Sequence, residues 1–406
     1  MFPTASLKFK LTLFFLYTTF SRADVKRGIF VLYWLQLGLS NKEIGALQSA
    51  LFLGTILSEI PTGLLADSFK RKYNFVFGSL LRVVNGLGYL YFTSFSPFLV
   101  LSFISGIGFS FFSGSDEAYL YDLLKSHNQE EKYKKIQAHT KAIQSYGLSV
   151  AIVLGGVLQI VSWPTVFLVF TGIMFLSTLL ASVLFDDHPH PKKESSTLDS
   201  SLVKTTSEFY QFFKTSKGGY LFLLILALAT FEGAYTPYFI MGQSLFKEAG
   251  SSPLSVSLLI AVTEFATGIS FSLAAKYAHR FTANRSFVGT SLIVIALLLL
   301  NVFNTQLTAM ISFFGVMLIP SLMFIVVEDS IQSQLPSNIR SSFFSLLSLL
   351  QGLSITASYA LMGLFLDSFG AASTMLVLTT FPIIGLVFFG LYYYQLKNIK
   401  ESASNG

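Results

Sequence analysis

The sequence contains no cysteine. That excludes disulfides, thiolate metal sites and a cysteine nucleophile, and it leaves the compartment open. Charge is scarce as well: 12% of the 406 residues are Asp, Glu, Lys or Arg, against roughly 25% in soluble domains. No Gly-Lys-Ser or Gly-Lys-Thr phosphate loop occurs, so ATP coupling within this chain is not expected. A soluble multidomain enzyme of this length is excluded, and no catalytic role, cofactor or metal is expected. What fills the chain is apolar: 52% hydrophobic and 16% aromatic residues, with a mean hydropathy of +0.63. Lipid is the solvent for most of such a surface.

A helix needs roughly 20 apolar residues to cross a bilayer. On that rule the sequence predicts an all-α membrane protein of about twelve transmembrane helices, at 9–37, 43–66, 73–95, 97–124, 135–160, 164–185, 218–243, 253–276, 286–304, 307–333, 339–366 and 369–396. The first run is too long, and too interrupted by charge, to be a cleavable signal peptide. Lysine and arginine fall on one side of this topology, in segments such as Lys8–Lys10, Lys70–Lys72, Lys132–Lys135, Lys192–Lys193 and Lys397–Lys400. Lys42 and Lys247 alone fall in the opposite loops. The positive-inside rule then puts both termini in the cytoplasm. The net charge of +6 reflects that orientation and not nucleic-acid binding.

The hydrophilic stretch Asp186–Lys217 contains Pro189, Pro191 and Ser195-Ser196-Thr197, a linker composition. It divides an N-terminal six-helix bundle (1–185) from a C-terminal six-helix bundle with a short tail (218–406). Its end, Glu208 to Lys214, spaces aromatics as a headgroup-lying helix would. Asp186-Asp187-His188-Pro189-His190 holds metal-capable side chains but reads as ordinary loop. Asn284-Arg285-Ser286 fits a glycosylation acceptor that would be silent on an inside loop.

Between the second and third runs stands Gly63-Leu64-Leu65-Ala66-Asp67-Ser68-Phe69-Lys70-Arg71-Lys72. It resembles the signature loop of the major facilitator superfamily, G-x-L-A-D-x-x-G-R-K, and departs from it at Lys70, where the family has glycine. A degenerate copy lies 212 positions on, from Ala275 to Thr282, with His279 in place of Asp67. The same offset relates Gly38 to Gly250 and Asp116-Glu117 to Glu328-Asp329. Gly147–Ala151 resembles Gly352–Thr356 at 205. The resemblance implies two pseudo-symmetric six-helix bundles rocking about a cavity lined by the first, fourth, seventh and tenth helices. It also implies a cytoplasmic latch at Gly63, Asp67, Arg71 and Lys72 that closes on the start of the eleventh helix at Ser337-Asn338. Gly155-Gly156 resembles the end of the family's antiporter motif, with Val150-Ala151 standing where Gly-Pro is expected.

Charges inside spans cost a few kcal/mol each, so those present need an aqueous cavity or partners. The first run carries Arg22, Asp24, Lys26 and Arg27 at its middle. On a continuous helix Arg22 and Lys26 share a face and Asp24 points away. With Asp116, Glu117, Glu232 and Glu264 these are the candidates for the substrate or proton cavity. For each, a structural ion pair is the competing reading. Glu328 and Asp329 are expected at a gate. A Glu59–Arg82 pair beside the signature loop is expected to be structural or gating, and Lys141 is expected to snorkel.

The function these features imply is secondary transport of a small organic molecule by alternating access, coupled to protons, by a monomer among membrane lipids. A bacterial inner membrane is the expected location. Export of drugs or metabolites is the first expectation from the loop motif and the glycine pair. Uptake of an anionic nutrient held by Arg22 and Lys26 is the second. A non-transporting sensor or a lipid-moving protein is the alternative of another class.

Overall fold

The computed structural model describes residues 6–68, 71–112, 115–184, 213–277, 280–303, 305–335 and 337–404. Every regular element among them is helical, and the helices reproduce the twelve predicted spans. The second, third, fifth and sixth spans are Asn41–Ser68, Arg71–Tyr91, Tyr133–Val161 and Trp163–Leu184. The seventh, eighth and ninth are Ser216–Glu248, Pro253–Tyr277 and Ala283–Leu299. Ser337–Ser404 holds the eleventh and twelfth, divided at Gly370, whose φ is +76°. Three spans are interrupted. The first is Leu7–Arg22 and Phe30–Gln36, the fourth Phe95–Ser110 and Ser115–Lys125, the tenth Gln306–Leu318 and Pro320–Gln334. Among the described residues, eight helices are long and apolar enough to cross a membrane; these are the fifth to twelfth spans, and the first four fall short of that measure. Residues 186–212 of the linker lie outside the described residues.

Burial is inverted relative to a soluble protein. Val150 is 69% exposed while Asp24 is 7% exposed. Large apolar side chains stand on the outer surface as well as in the core, while Asp24 and Arg82 are buried, the arrangement that lipid favours.

The internal repeat is visible in the backbone. The first span ends with Leu39 N–H on Trp34 C=O (3.1 Å) and Gly38 N–H on Leu35 C=O (3.2 Å). The seventh ends with Ser251 N–H on Phe246 C=O (2.9 Å) and Gly250 N–H on Lys247 C=O (3.0 Å). Gly38 and Gly250 sit at φ +87° and +78°, the left-handed turn that closes a helix and that glycine adopts without a Cβ penalty. Each of these residues lies at the repeat offset from its counterpart.

The chain forms two compact units. One comprises Met1–His190, Ile240–Leu273 and Tyr359–Ser368; the other comprises Pro191–Phe239, Ala274–Ser358 and Phe369–Gly406. The first unit therefore includes one end of the seventh and eleventh spans and most of the eighth. Its core has two aromatic layers. Tyr33 packs on Phe167 (4.7 Å between centroids) and Tyr89 on Phe98 (5.1 Å). Phe14, Tyr17, Phe75, Phe112 and Leu120 form the other layer. The charged residues of the first span lie between them in sequence. In the second unit, Phe287 stacks on Phe389 (4.3 Å), and Tyr238, Asn301 and Ser312 form a buried hydrogen-bonded triad.

Candidate substrate site

The first span is not helical from Ala23 to Ile29. Asp24 accounts for the break: its Oδ1 accepts the backbone N–H of Lys26 at 3.2 Å, a side-chain bond that competes with helix. Arg27 N–H then turns back to Asp24 C=O (3.1 Å) and Ile29 N–H to Lys26 C=O (3.0 Å), three-residue turns in place of four. This corrects the expectation that Asp24 points away from Lys26. With the helix broken, Asp24 Oδ2 lies 3.1 Å from Lys26 Nζ.

Arg82 on the third span joins this pair. Its Nη2 lies 3.4 Å from Asp24 Oδ2, and Nη1 donates to the carbonyl of Ser21. That carbonyl is one an unbroken helix would have satisfied internally. The expected Glu59–Arg82 pair is therefore replaced by Asp24–Arg82. The broken first span offers Arg82 both a carboxylate and a free carbonyl. Arg82 lines the cavity that these groups enclose.

These groups line a cavity of about 270 Å³ whose walls include Trp34, Gln48, Asn85, Tyr89, Phe109 and Phe170. Lys26 Nζ lies 4.5 Å from the ring centre of Phe170 and 5.6 Å from those of Phe30 and Tyr89. The Arg82 guanidinium lies 5.2 Å from the ring centre of Phe109. Aromatic faces of this kind stabilise cations held away from water. Among the lining residues, Lys26, Arg27 and Arg82 stand against Asp24 alone. Glu264 on the eighth span interacts electrostatically with Arg27. Counting it leaves three cations against two carboxylates, with one carboxylate oxygen shared by Lys26 and Arg82.

Asp116 and Glu117 belong to a second chamber, of about 330 Å³, with Arg22, Gln137 and Lys141. The interruption of the fourth span makes them the first turn of Ser115–Lys125, where negative charge is favoured by the helix dipole. Arg22 lies 3.6 Å from Asp116 and Lys141 3.4 Å from Glu117. Lys141 is thus half of an ion pair rather than only a snorkelling lysine. Opposite charges balance in this chamber.

Among the described residues, the remaining candidates do not line either cavity. Glu232 lies in the second unit and accepts from the Thr236 hydroxyl. Glu328 is exposed on the tenth span. Glu59 is half-buried on the second span and Lys72 on the third. The side chains of Gly63, Asp67, Arg71, Asp329, Ser337 and Asn338 lie outside the described residues, as does His279.

Sequence reasoning missed the polar lining of the second, third and fourth spans. Its signal is periodic: Gln48, Phe52 and Thr55 fall on one helix face, as do Arg82, Asn85 and Tyr89, and Ser102, Ser105 and Phe109. Each triplet follows the spacing of one helix face.

A sequence profile of the Major Facilitator Superfamily matches residues 14–338. No curated protein gives a significant match. Among solved structures, a mutant form of the nucleoside transporter NupG is 12% identical with a TM-score of 0.77, over 96% of this chain and 100% of that one. A bacterial homologue of the human lysosomal transporter Spinster, inward-facing and unoccupied, is 16% identical with a TM-score of 0.73, over 96% and 97%. A D-xylose–proton symporter is 14% identical with a TM-score of 0.72, over 94% and 95%. At these identities the likeness is one of fold.

Proposed function

The chain belongs to the major facilitator superfamily, and we propose that it moves a small organic anion, together with protons, across the membrane by alternating access. The observation that carries this reading is the sharing of Asp24 Oδ2 between Lys26 and Arg82 in an aromatic-walled cavity. Two cations held by one carboxylate retain donors for a second. A carboxylate or phosphate entering the cavity meets the planar fork of Arg82 and the Lys26 ammonium, in surroundings where such contacts are weakly screened.

Asp24 competes with that anion for the same donors. Protonating Asp24 removes the competitor, so proton and anion are best bound together. The groups facing Asp24 are Lys26 and Arg27 on its own span and Arg82 and Tyr89 on the third. Glu264 acts on Arg27 from the eighth. Joint binding couples the two fluxes, and an inward proton gradient then drives uptake. We place both termini in the cytoplasm of a cell membrane, on the distribution of basic residues. The exporter reading loses one support: Gly155 is explained by packing, since a Cβ there would collide with the carbonyl oxygen of Val25. It therefore says nothing about transport direction.

The test is a thermal-shift screen of the detergent-purified protein with carboxylates, phosphates, lipophilic cations and zwitterions. Stabilisation by one anion class, enhanced at lower pH and lost in Lys26→Gln and Arg82→Gln, is the expected result. Stabilisation by cations alone, retained in both variants, would sink the reading.

A further inference from the structure

No motif singled out Gln243, near the end of the seventh span. Its side chain is fully buried, and both ends of its amide are bound to the backbone of the first span. Nε2 donates to the carbonyl of Arg27 at 2.9 Å, and Oε1 accepts the N–H of Val31 at 3.2 Å. Arg27 and Val31 are four residues apart. In a continuous helix that N–H would donate to that carbonyl directly. The Gln243 amide therefore stands in the place of a missing helical rung. Insertion of a side chain into the hydrogen-bond ladder is one of the few causes of a sharp helix break. The interruption is local: Phe30 N–H still reaches Lys26 C=O at 2.9 Å, and Tyr33 N–H reaches Ile29 C=O at 3.1 Å.

Gln243 is also part of a seam along which parts of the seventh, eighth and eleventh spans meet the first, second and fifth. Ser149 Oγ donates to Ala261 C=O at 2.8 Å, and Ser257 donates to Ile152 C=O. Asp367 accepts the N–H groups of Asn41 and Lys42. One amide thus connects this seam to the segment that carries Lys26 and Arg27.

We infer that Gln243 is a positioning switch: inserted, it holds the first span unwound with Lys26 and Arg27 at the cavity, and withdrawn, it lets the Arg27–Val31 rung close. Neither state orphans a buried backbone group. With Gln243 present its amide satisfies both atoms; with Gln243 gone they satisfy each other. Two arrangements without an unpaired N–H or C=O are what a bistable element requires. Rewinding shortens and rotates the segment, which changes the reach of both cations into the cavity. Opening of the seam and release of the anion are then linked, and linkage is reciprocal: the bound anion favours the closed seam. The inference rests on the anion reading only through this last step.

Absence of cysteine makes the test direct, because one introduced thiol reports without background. Gln243→Leu, of similar size and without polar atoms, is compared with the parent, each carrying S257C. Hydrogen exchange over residues 27–31 and maleimide labelling of the thiol are followed in detergent. The expected result is exchange as slow as in the parent or slower, labelling several-fold faster, and anion affinity lowered about tenfold. Gln243→Asn, which keeps the amide but shortens its reach, is read in the same way should the leucine variant not fold. Faster exchange over 27–31, whatever the labelling, overturns the inference, because the rung has not closed. Labelling at the parent rate also overturns it. If exchange and labelling respond as expected while no anion binds either protein, the switch stands and the anion assignment falls.

Discussion

Asp367 caps Asn41. Its Oδ1 accepts both the backbone N–H and the side-chain amide of Asn41 at 3.0 Å, and its Oδ2 takes the N–H of Lys42 at 2.7 Å. The second span thus begins on a carboxylate from the eleventh, beside its own Ser40–Glu43 capping box. A negative charge at a helix N-terminus satisfies open donors and opposes the dipole. Asp367→Ala should cost about 1 kcal/mol, the usual magnitude of a lost cap, and Asp367→Asn less. Melting in detergent checks this. Molar salt should shrink the Asn difference, because it screens the dipole interaction. An alanine variant that melts with the parent would show that the cap contributes nothing to the seam.

Gly155 is where the fifth span passes the broken first span. A Cβ at this position would overlap the carbonyl oxygen of Val25, and one at Gly156 would lie 2.6 Å from Ser257 Cβ. Both overlaps involve atoms that cannot rotate away. Gly155→Ala should therefore give little folded protein, and Gly156→Ala a destabilised one. Gly172, with nothing within 4 Å of a built Cβ, supplies the control: Gly172→Ala should express and melt as the parent. Fluorescence-detected size exclusion separates the three outcomes. Normal yield for Gly155→Ala would mean that the first span does not sit as described.

Hydropathy alone located the twelve spans, because a helix in lipid must be long and apolar whatever it packs against. The repeat was legible too, since Gly38 and Gly250 mark the same turn twice. Of the first cavity's lining, Asp24 and Lys26 are named by the sequence, and their pairings are not. Arg22, Asp24 and Lys26 fall on what the sequence presents as a continuous helix, since no proline or glycine stands between Leu7 and Arg27 to signal the break. Asp24 bonding to the backbone, and Gln243 inserted from far along the chain, make the break. The first is a local side-chain bond and the second a tertiary contact, and helical periodicity contains neither. Arg82 was misassigned to Glu59 for the same reason, because the carbonyl of Ser21 becomes available only once the helix opens.

Arg82 makes two contacts that diverge, one to Ser21 and one to Asp24. A guanidinium spans them with separate nitrogens, and an ammonium cannot. Arg82→Lys should therefore retain the charge and lose anion affinity by about tenfold or more, comparable to removal of one charge-assisted hydrogen bond. Arg82→Gln should lose it further. Affinity measured by calorimetry on folded, monodisperse protein checks the order. Equal binding by the lysine variant and the parent would mean that only the charge matters, and the bidentate account would fail.

Glu117 and Lys141 give the contrasting case. They lie 3.4 Å apart, with side chains 45% and 62% exposed, whereas Asp24 and Lys26 are only 11% and 13% exposed. Exposed pairs contribute about 0–1 kcal/mol, because water screens the charges and two long side chains must be ordered. Breaking a buried pair leaves a charge in low dielectric and costs about 3–5 kcal/mol. Glu117→Gln and Lys141→Gln should each leave the melting temperature within a degree or two of the parent. Their double variant should show a coupling below about 1 kcal/mol. Asp24→Asn and Lys26→Gln should each destabilise strongly, and their combination should recover part of the loss, because neither charge is then stranded. Thermal unfolding of the two cycles in one detergent decides the matter. A large coupling at Glu117–Lys141 would place that pair inside the packed protein rather than at the open second chamber, and would return it to the gating contacts.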